Sequence, residues 1–470
     1  MSSVPLTAEA DSRHDRAFLG HPIGLAYLAF TEAWERFSYY GMQTLLVLYM
    51  TRQLLLPGHV EHIAGFAGFR ALFEHTYGHA LTTIALASAI FGLYTGLVYL
   101  TPLGGGLLAD RWLGRTRTVT LGALLMAAGH FLMAFDVSFL PALLCLLIGV
   151  GCFKGNLASQ IGALYAPDDL RRADAYQIYY LFISGSVIVA PLVTGTLGEN
   201  YGWHYGFGAA GIGMLIGLVI YRIGRRWLPA DGRAAGPNTM AKVRLIPREW
   251  RVVLVLILLL PVLTIGTAGN QQIFNAYLLW VPDHINLVFF GHQMLTTWLI
   301  TVDATVSILG LLGVMAFWRW WSKFLQEPSE IEKIAIGFVF CVAGQLSLVA
   351  AAAISASGQK AGVGWVLGFE VMNSIGFANV LPVGLALFAR AAPKSISGLM
   401  VGVYFLHLFA ANNLVGWLGG LLERLPGTQF WGLHAALAAV AALLTFVAAR
   451  LFRSLLAPKG TYSRSERALS

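Results

Sequence analysis

Long apolar runs follow one another along this chain, and they restrict its possible folds more than any other feature. Of the 470 residues, 57% are hydrophobic and 11% are charged, which excludes an ordinary soluble globule. A helix of about 20 apolar residues crosses a bilayer, whereas a membrane β-barrel would show short alternating segments. We therefore predict an all-α integral membrane protein with twelve transmembrane helices. The predicted spans are 23–50, 80–108, 117–135, 138–163, 174–198, 203–222, 251–281, 293–318, 333–355, 362–389, 397–421 and 430–452.

The basic residues lie mainly on one side of these spans. The two tails and the even-numbered connections carry most of the 31 Lys and Arg, and the opposite connections carry Arg52, Arg70, Lys360 and Arg424. The positive-inside rule then places both termini in the cytoplasm. The formal net charge of +8 is therefore a topology signal, and we predict no nucleic-acid partner.

The longest cytoplasmic connection divides the spans into six and six. Residues 223–250 are predicted as an interdomain linker because they are rich in Arg, Gly, Ala and Pro. They separate an N-terminal six-helix bundle, 23–222, from a C-terminal six-helix bundle, 251–456, with cytoplasmic tails at 1–22 and 457–470. Two bundles joined in this way suit a transporter in which one bundle rocks against the other.

The first predicted span carries three charges within residues 32–41. At roughly 2.5–3.5 kcal/mol each, Glu32, Glu35 and Arg36 cost too much for this side of the helix to face lipid. Glu32 and Arg36 are four residues apart, so they share one helix face. The charged stripe therefore faces partners or water inside a bundle. It is either a functional site or an internal Glu–Arg pair that fixes helix packing.

A further buried cation is predicted in the fourth span. Lys154 lies at a depth comparable to that of Arg36, with Gly155 and Asn156 beside it. Two cations in one bundle require anions, which are either the glutamates of the first span or a substrate carboxylate. In the alternative interpretation, Lys154 extends to the cytoplasmic surface.

The loop after the second span holds Asp110, Arg111 and Arg115. These side chains can form a cytoplasmic charge cluster that breaks and re-forms as the bundles move. A plain turn with topology-setting arginines is the alternative.

These motifs together resemble a known family. The first span reads ExxERFxYYG at 32–41, the loop reads DRWLGR at 110–115 and the fourth span reads FKGN at 153–156. Weaker matches follow at 174–175, 179–180, 190–192, 382–385 and 392–394. The chain is similar to the proton-dependent oligopeptide transporter (POT) family, a branch of the major facilitator superfamily. The resemblance implies the fold of that superfamily.

The resemblance also implies roles for particular residues. Glu32 and Glu35 would take up and release the coupling proton, and Arg36 would take part in this coupling. Arg36 and Lys154 would hold the C-terminal carboxylate of a peptide. The tyrosines that would contact the peptide backbone are Tyr39, Tyr40 and Tyr99.

Several predicted substrate-binding positions depart from the family. The tenth-span Glu that the family associates with the peptide's amino end is Phe377 here. We interpret the residues that would bind the peptide carboxylate as retained and the residues that would bind its amino end as changed. The other altered positions are Ser184 and Tyr404, in place of an Asn and a Trp, Asn270 before Gln271, where a Glu is common, and Asp303, in place of an Asn.

Other polar residues in the C-terminal spans have alternative roles. Asp303 and Glu370 are predicted on the extracellular side of the midplane, and each can bind an ammonium group or act as a protonation site. His407 is either a titrating group or a hydrogen-bonded packing residue. Asn270 and Gln271 either bind a peptide backbone or hold helices together.

The predicted function is a proton-coupled symporter that imports di- and tripeptides by alternating access. The alternative is the same fold with another solute, such as nitrate, another carboxylate or a drug-like compound. A membrane enzyme is disfavoured because the chain has no HExxH or GxSxG motif, and a channel would lack proton coupling.

We expect no cofactor and no metal, and interpret the histidines of connection 52–79 as solvated. We expect a monomeric transport unit in the cell's inner membrane, with protons and small peptides as partners.

Overall fold

The computed structural model describes residues 15–166, 169–229, 245–289 and 291–456. Most of these residues are helical. The α-helices are α1 (Ile23–Tyr49), α2 (Phe66–Tyr77), α3 (Thr83–Leu97), α4 (Thr101–Leu108), α5 (Arg115–Leu132), α6 (Phe139–Ala163), α7 (Arg171–Ala190), α8 (Thr196–Tyr201), α9 (Trp203–Gly224), α10 (Pro247–Gln271), α11 (Ala276–His284), α12 (Trp298–Trp321), α13 (Glu330–Ser355), α14 (Gly364–Ala391), α15 (Ser397–Tyr404), α16 (Leu406–Gly419), α17 (Gly427–Leu451) and α18 (Arg453–Leu456).

Short segments connect or interrupt these helices. The π-helical turns are Met50–Leu54, Ala109–Leu113 and Pro191–Gly195. The 3-10 turns are Val60–His62, Asp136–Ser138, Arg225–Trp227, Gln272–Phe274 and Lys394–Ile396. Four two-residue strands form two small sheets: β1 (Ile285–Asn286) pairs in parallel with β4 (Ala361–Gly362), and β2 (Val288–Phe289) pairs antiparallel with β3 (His292–Gln293).

The helices agree with the predicted spans. By length and composition, ten helical segments among the described residues can cross a membrane. The two other predicted spans are present as α1 and α5. Charges lower the hydropathy of both, because α1 carries three charges in its interior and α5 begins with two arginines in its first three residues.

Several predicted spans are interrupted helices. The second span consists of α3 and α4, and the seventh consists of α10 and α11, joined by a 3-10 turn. In the fifth span, α7 changes to a π-helical turn at Pro191, because proline has no N–H to donate. Backbone groups freed in this way are tolerated at membrane depth where they are buried in protein or line a cavity.

The described residues form two compact units by their contacts. The first lies within Met1–Leu45, Pro57–Phe66 and Leu100–Asn238, and the second within Leu46–Leu56, Ala67–Tyr99 and Thr239–Ser470. The bundles predicted at 23–222 and 251–456 stay a proposal. Much of the predicted linker, at 230–244, lies outside the described residues, as do 1–14 of one tail and all of the tail at 457–470.

Helix α3 belongs to the second unit because it packs closely on α16. A Cβ atom at Gly92 would lie 2.4 Å from the carbonyl oxygen of Asn412 and 2.8 Å from Cα of Gly416. The Thr95 hydroxyl donates a hydrogen bond to Oδ1 of Asn412 at 3.0 Å. The first half of the predicted second span is therefore held by the helix of the predicted eleventh span.

In the first unit, α4 and α6 approach each other through two glycines. A Cβ atom at Gly105 would lie 1.9 Å from the carbonyl oxygen of Gly151, a distance that no real side chain tolerates. Asn156 Nδ2 donates to the carbonyl oxygen of Gly105 at 3.1 Å. This contact fixes the part of α6 that carries Lys154.

We expect Gly105→Ala to lower the free energy of unfolding by about 1–3 kcal/mol, because the added methyl group forces α4 and α6 apart. Gly104→Ala is the matched control, since a Cβ atom there meets nothing within 4 Å. The control gains the same helix propensity and should be neutral or slightly more stable. Thermal unfolding of both variants in detergent measures the difference, and equal midpoints would contradict the close approach.

Candidate functional site

Helix α1 places a compact ion-pair cluster inside the first unit. Arg36 Nε lies 3.0 Å from Oε1 of Glu32 and 2.5 Å from Oε2 of Glu35. The exposed fractions of Glu32, Glu35 and Arg36 are 2%, 0% and 4%. The three charges are thus removed from solvent together, and the cation lies between the two acids.

Lys154 of α6 completes the charge balance of this cluster. Glu35, Glu32 and Arg36 are its electrostatic neighbours. Lys154 is half-buried, whereas Arg36 is buried. Two carboxylates and two cations make the cluster neutral when all four are ionised. Its more accessible cation is Lys154.

Tyrosine side chains surround the same cluster. The guanidinium of Arg36 lies 5.4 Å from the ring centre of Tyr39, and Tyr40 is hydrogen-bonded to Arg36. Tyr179 of α7 is hydrogen-bonded to Glu32. Tyr179 belongs to the family match at 179–180 but is not among the predicted site residues. It lies inside the predicted fifth span, where a tyrosine has many possible partners, so its position gives no separate signal.

The structure places the other predicted residues of the first unit outside this cluster. Ser184 is half-buried on α7. Asp110, Arg111 and Arg115 are exposed around a π-helical turn, and Gly114 has a φ of +74°. Within the described part of the chain, Asp110 makes no ion pair with either arginine. The predicted charge cluster is therefore not formed in this conformation.

A pair of carboxyl groups lies in the second unit. Glu370 of α14 is 0% exposed, and its Oε1 accepts a hydrogen bond from the Tyr277 hydroxyl at 2.5 Å. The half-buried Asp303 of α12 is an electrostatic neighbour of Glu370. Two neighbouring carboxyl groups ionise together only at high cost, so such a pair can share one proton. Tyr277 of α11 was missed, since nothing in the sequence connects it to Glu370.

The amides of α10 are part of a hydrogen-bond chain. Gln271 Nε2 donates to Oδ1 of Asn270 at 3.1 Å, and Asn412 Nδ2 donates to Oε1 of Gln271 at 3.3 Å. Thr95 of α3 donates in turn to Asn412. These amides hold helices together, and the half-buried Asn270 and Gln271 remain partly accessible. Asn412 could have been predicted by the same reasoning, because it is an amide in an apolar span.

Three aromatic or imidazole residues have packing contacts in the second unit. Tyr404 is 0% exposed and donates its hydroxyl to the carbonyl oxygen of Leu381 at 2.8 Å. His407 is 1% exposed, and its Nδ1 contacts the carbonyl oxygen of Tyr404. The ring of Tyr99 stacks on Phe405 with centroids 6.5 Å apart.

Among residues 15–166, 169–229, 245–289 and 291–456, no group of three or more His, Cys, Asp or Glu side chains could hold a metal ion. His59 of the predicted extracellular connection instead pairs with Asp136, with Nδ1 2.6 Å from Oδ2.

Solved structures share this architecture. The crystal structure of a peptide transporter POT in complex with sulfate matches with a TM-score of 0.79 and 25% identity, over 95% of this chain and 99% of that chain. A POT family transporter in complex with 5-aminolevulinic acid matches with a TM-score of 0.78 and 22% identity, over 94% and 98%. These likenesses confirm the predicted all-α membrane fold of the major facilitator superfamily.

Sequence relatives cover nearly the whole chain. The peptide transporter YePEPT of Yersinia enterocolitica subsp. palearctica serotype O:3 (strain YE-P4) is 29% identical over 505 residues, which span 91% of this chain and 94% of that protein. The uncharacterized transporter YclF of Bacillus subtilis (strain 168) is 28% identical over 490 residues, spanning 92% and 94%. The family model described as the POT family matches residues 116–248 and 233–431, more than half of the chain. The predicted resemblance is therefore confirmed, and this multi-pass membrane protein belongs to the POT family of transporters.

Proposed function

We propose that this chain is a proton-coupled symporter that imports di- and tripeptides by alternating access. Relatives named as peptide and di-/tripeptide transporters favour peptides over nitrate or another solute. The observation that carries the proposal is the cluster that the buried Glu32, Glu35 and Arg36 form with the half-buried Lys154.

The charge balance of this cluster suggests how proton and peptide are coupled. The cluster is neutral when empty and fully ionised, so a peptide carboxylate would add one uncompensated negative charge. An unpaired buried charge is costly, and a proton on Glu32 or Glu35 removes the excess. The protonated acid no longer pairs with Arg36, whose guanidinium is then free to bind the carboxylate with two hydrogen bonds. Binding of either ligand thereby favours binding of the other.

Other residues have finer roles in this proposal. Lys154 is the first contact of the peptide carboxylate, because it is more accessible than Arg36. The predicted backbone contacts are Tyr39, Tyr40 and Tyr99, and the predicted side-chain or amine contacts are Ser184, Asn270 and Gln271. Asp303 is an amine contact or, with Glu370, a proton site, and the variants described below distinguish the two roles. Tyr404 and His407 act by positioning, since their polar atoms already bond to backbone carbonyls. Asp110, Arg111 and Arg115 are proposed to pair in another conformation.

The cellular setting is also part of the proposal. The distribution of Lys and Arg supports an inner-membrane protein with both termini in the cytoplasm. We propose a monomeric transport unit of two six-helix bundles, driven by the proton gradient without a cofactor.

Uptake into proteoliposomes tests the function. Under an inward pH gradient, dialanine should accumulate and should compete with other dipeptides. An amidated dipeptide should compete weakly, and nitrate should not compete. Uptake of nitrate without dialanine competition would replace the proposal with the alternative solute.

The carboxyl pair of the second unit gives a separate prediction. We expect Glu370→Gln and Asp303→Asn each to lower the number of protons moved per peptide, because each variant removes one of the two carboxyl groups that can share a proton. Tyr277→Phe keeps both acids and should leave this number unchanged. The reversal potential of the proton current that dialanine drives measures the number of protons moved per peptide.

A different result would assign the pair to the substrate. If both variants keep the proton number but lose affinity for free dipeptides and not for N-acetylated ones, then Asp303 binds the peptide ammonium group. That outcome would contradict a proton site.

A further inference from the structure

A groove on the second unit lies outside the proposed transport site. It encloses about 1050 Å³ and is lined by one end of α13, the adjacent parts of α14, α17 and α18, and residues 326–329. We call it the Arg453 groove.

The wall of the Arg453 groove is apolar and exposed. The exposed fractions of Val339, Leu443 and Phe446 are 59%, 62% and 47%. Leu443 and Phe446 are three residues apart on α17, and Ala335 and Val339 are four residues apart on α13. The two residues of each pair therefore lie on the same side of their helix. Both helices are long and apolar enough to cross a membrane. This exposed apolar wall is therefore suited to contact with lipid hydrocarbon and not with water.

At the other end of the groove, the acids already have partners. Glu327 and Glu330 are paired with cations and therefore repel an incoming anion less than free acids would, and Glu332 is an electrostatic neighbour of Arg450 and Arg453. The pairs are Glu327 with Lys333, Glu330 with Arg390 at 2.6 Å and 2.9 Å, and Glu332 with the backbone N–H and hydroxyl of Ser329 at 2.8 Å and 2.7 Å.

Two arginines at this end make no ion pair with a carboxylate among the described residues, and both are electrostatic neighbours of Glu332. Arg453 lines the groove and is exposed. The guanidinium of the exposed Arg450 lies 4.9 Å from the ring centre of Phe446. Arg450 follows Leu443 by seven residues, which is about 10 Å along the helix. Positive charge thus lies next to an apolar wall, at the level where a membrane helix ends.

We infer that the Arg453 groove binds an anionic phospholipid of the cytoplasmic leaflet. The phosphate contacts Arg450 and Arg453, and one acyl chain lies along Leu443, Phe446 and Val339. Basic pockets between membrane helices at the cytoplasmic side are suited to anionic headgroups. The inference uses the cytoplasmic orientation proposed above for this end, but it is independent of the transported solute.

Photo-crosslinking of the full chain in proteoliposomes tests this inference. The probe is phosphatidylglycerol with a photoreactive group in one acyl chain, and mass spectrometry maps the labelled residues. We expect label on α13 and α17 along the groove. Unlabelled phosphatidylglycerol should compete better than phosphatidylcholine, and inorganic phosphate should not compete.

The variants separate the headgroup from the acyl chain. Arg450→Gln and Arg453→Gln should each weaken phosphatidylglycerol competition about fivefold. Val339→Trp, which fills the apolar wall, should reduce labelling although both arginines are present. Arg222→Gln is the matched control, since Arg222 is an exposed arginine at the end of α9 in the other unit.

Several outcomes would overturn the inference. They are equal competition by phosphatidylcholine, competition by inorganic phosphate, unchanged labelling in the double Arg450→Gln, Arg453→Gln variant, and crosslinks to a second copy of the chain at this groove. Because none of these readouts uses peptide uptake, failure here is distinct from failure of the proposed function.

Discussion

Glu35→Gln is expected to abolish accumulation of dialanine under a pH gradient while counterflow exchange continues. Glutamine carries no charge at any pH, so the contact between Glu35 and Arg36 at 2.5 Å loses its ion pair permanently. The cluster can then no longer change charge at this position when a proton arrives. Without that change, the proton gradient does no work on the peptide, and the internal dialanine concentration should not exceed the external one.

The controls for this variant separate coupling from folding. Counterflow exchange shows that Glu35→Gln folds and binds peptide. Glu61→Gln changes an exposed acid that accepts a hydrogen bond from the backbone of Gly58, and it should accumulate dialanine normally. Glu32→Gln should repeat the loss, because Glu32 also pairs with Arg36 at 3.0 Å. Full uphill uptake by Glu35→Gln would remove Glu35 from the coupling mechanism.

The ion-pair cluster could largely be predicted from the sequence because its main contacts are local. The helical period alone brings Glu32 next to Arg36. Lys154 required one further step, the comparison of depth between two predicted spans. The high cost of an unpaired charge in a membrane helix then predicts that these charged residues contact one another or a substrate.

The carboxyl pair of the second unit could be predicted only in part. The sequence places Asp303 and Glu370 on the same side of the midplane, but their contact depends on how α12 and α14 cross. The hydrogen bond from Tyr277 to Glu370 joins residues 93 apart in the chain. A tyrosine in a membrane span has many possible partners, so its sequence position does not identify the one it uses.

Residues that bond to backbone carbonyls are equally hard to predict. Tyr404 and His407 stand out in the sequence as polar groups in an apolar span. In the structure their polar atoms contact Leu381 and Tyr404 carbonyl oxygens. Every helix offers carbonyls, so the side chain alone cannot distinguish a packing role from a binding role. The same limit applies to α3, since nothing in its sequence identifies α16 as the helix that Gly92 contacts.

Lys154→Ala is expected to weaken transport of dipeptides with a free carboxylate by about 10- to 100-fold in affinity, and to leave amidated dipeptides nearly unchanged. A hydrogen bond to a charged group contributes about 1.5–3 kcal/mol, which corresponds to that range. Lys154 is half-buried beside the buried Arg36, so it is the cation that an entering carboxylate meets. Competition by dialanine and by its amide, measured in the same proteoliposomes, gives the two affinities.

The difference between the two peptides is what tests the carboxylate contact. Removing Lys154 also leaves Glu35 with less compensating charge, which would weaken every substrate equally if Lys154 acted only on the cluster. Lys394→Ala, at an exposed lysine after α14, controls for the loss of a positive charge and should change neither affinity. Equal losses for dialanine and its amide would place Lys154 in the coupling of protons alone. A selective loss for dialanine would mean that Lys154 binds the peptide carboxylate, while Arg36 alternates between that carboxylate and the two glutamates.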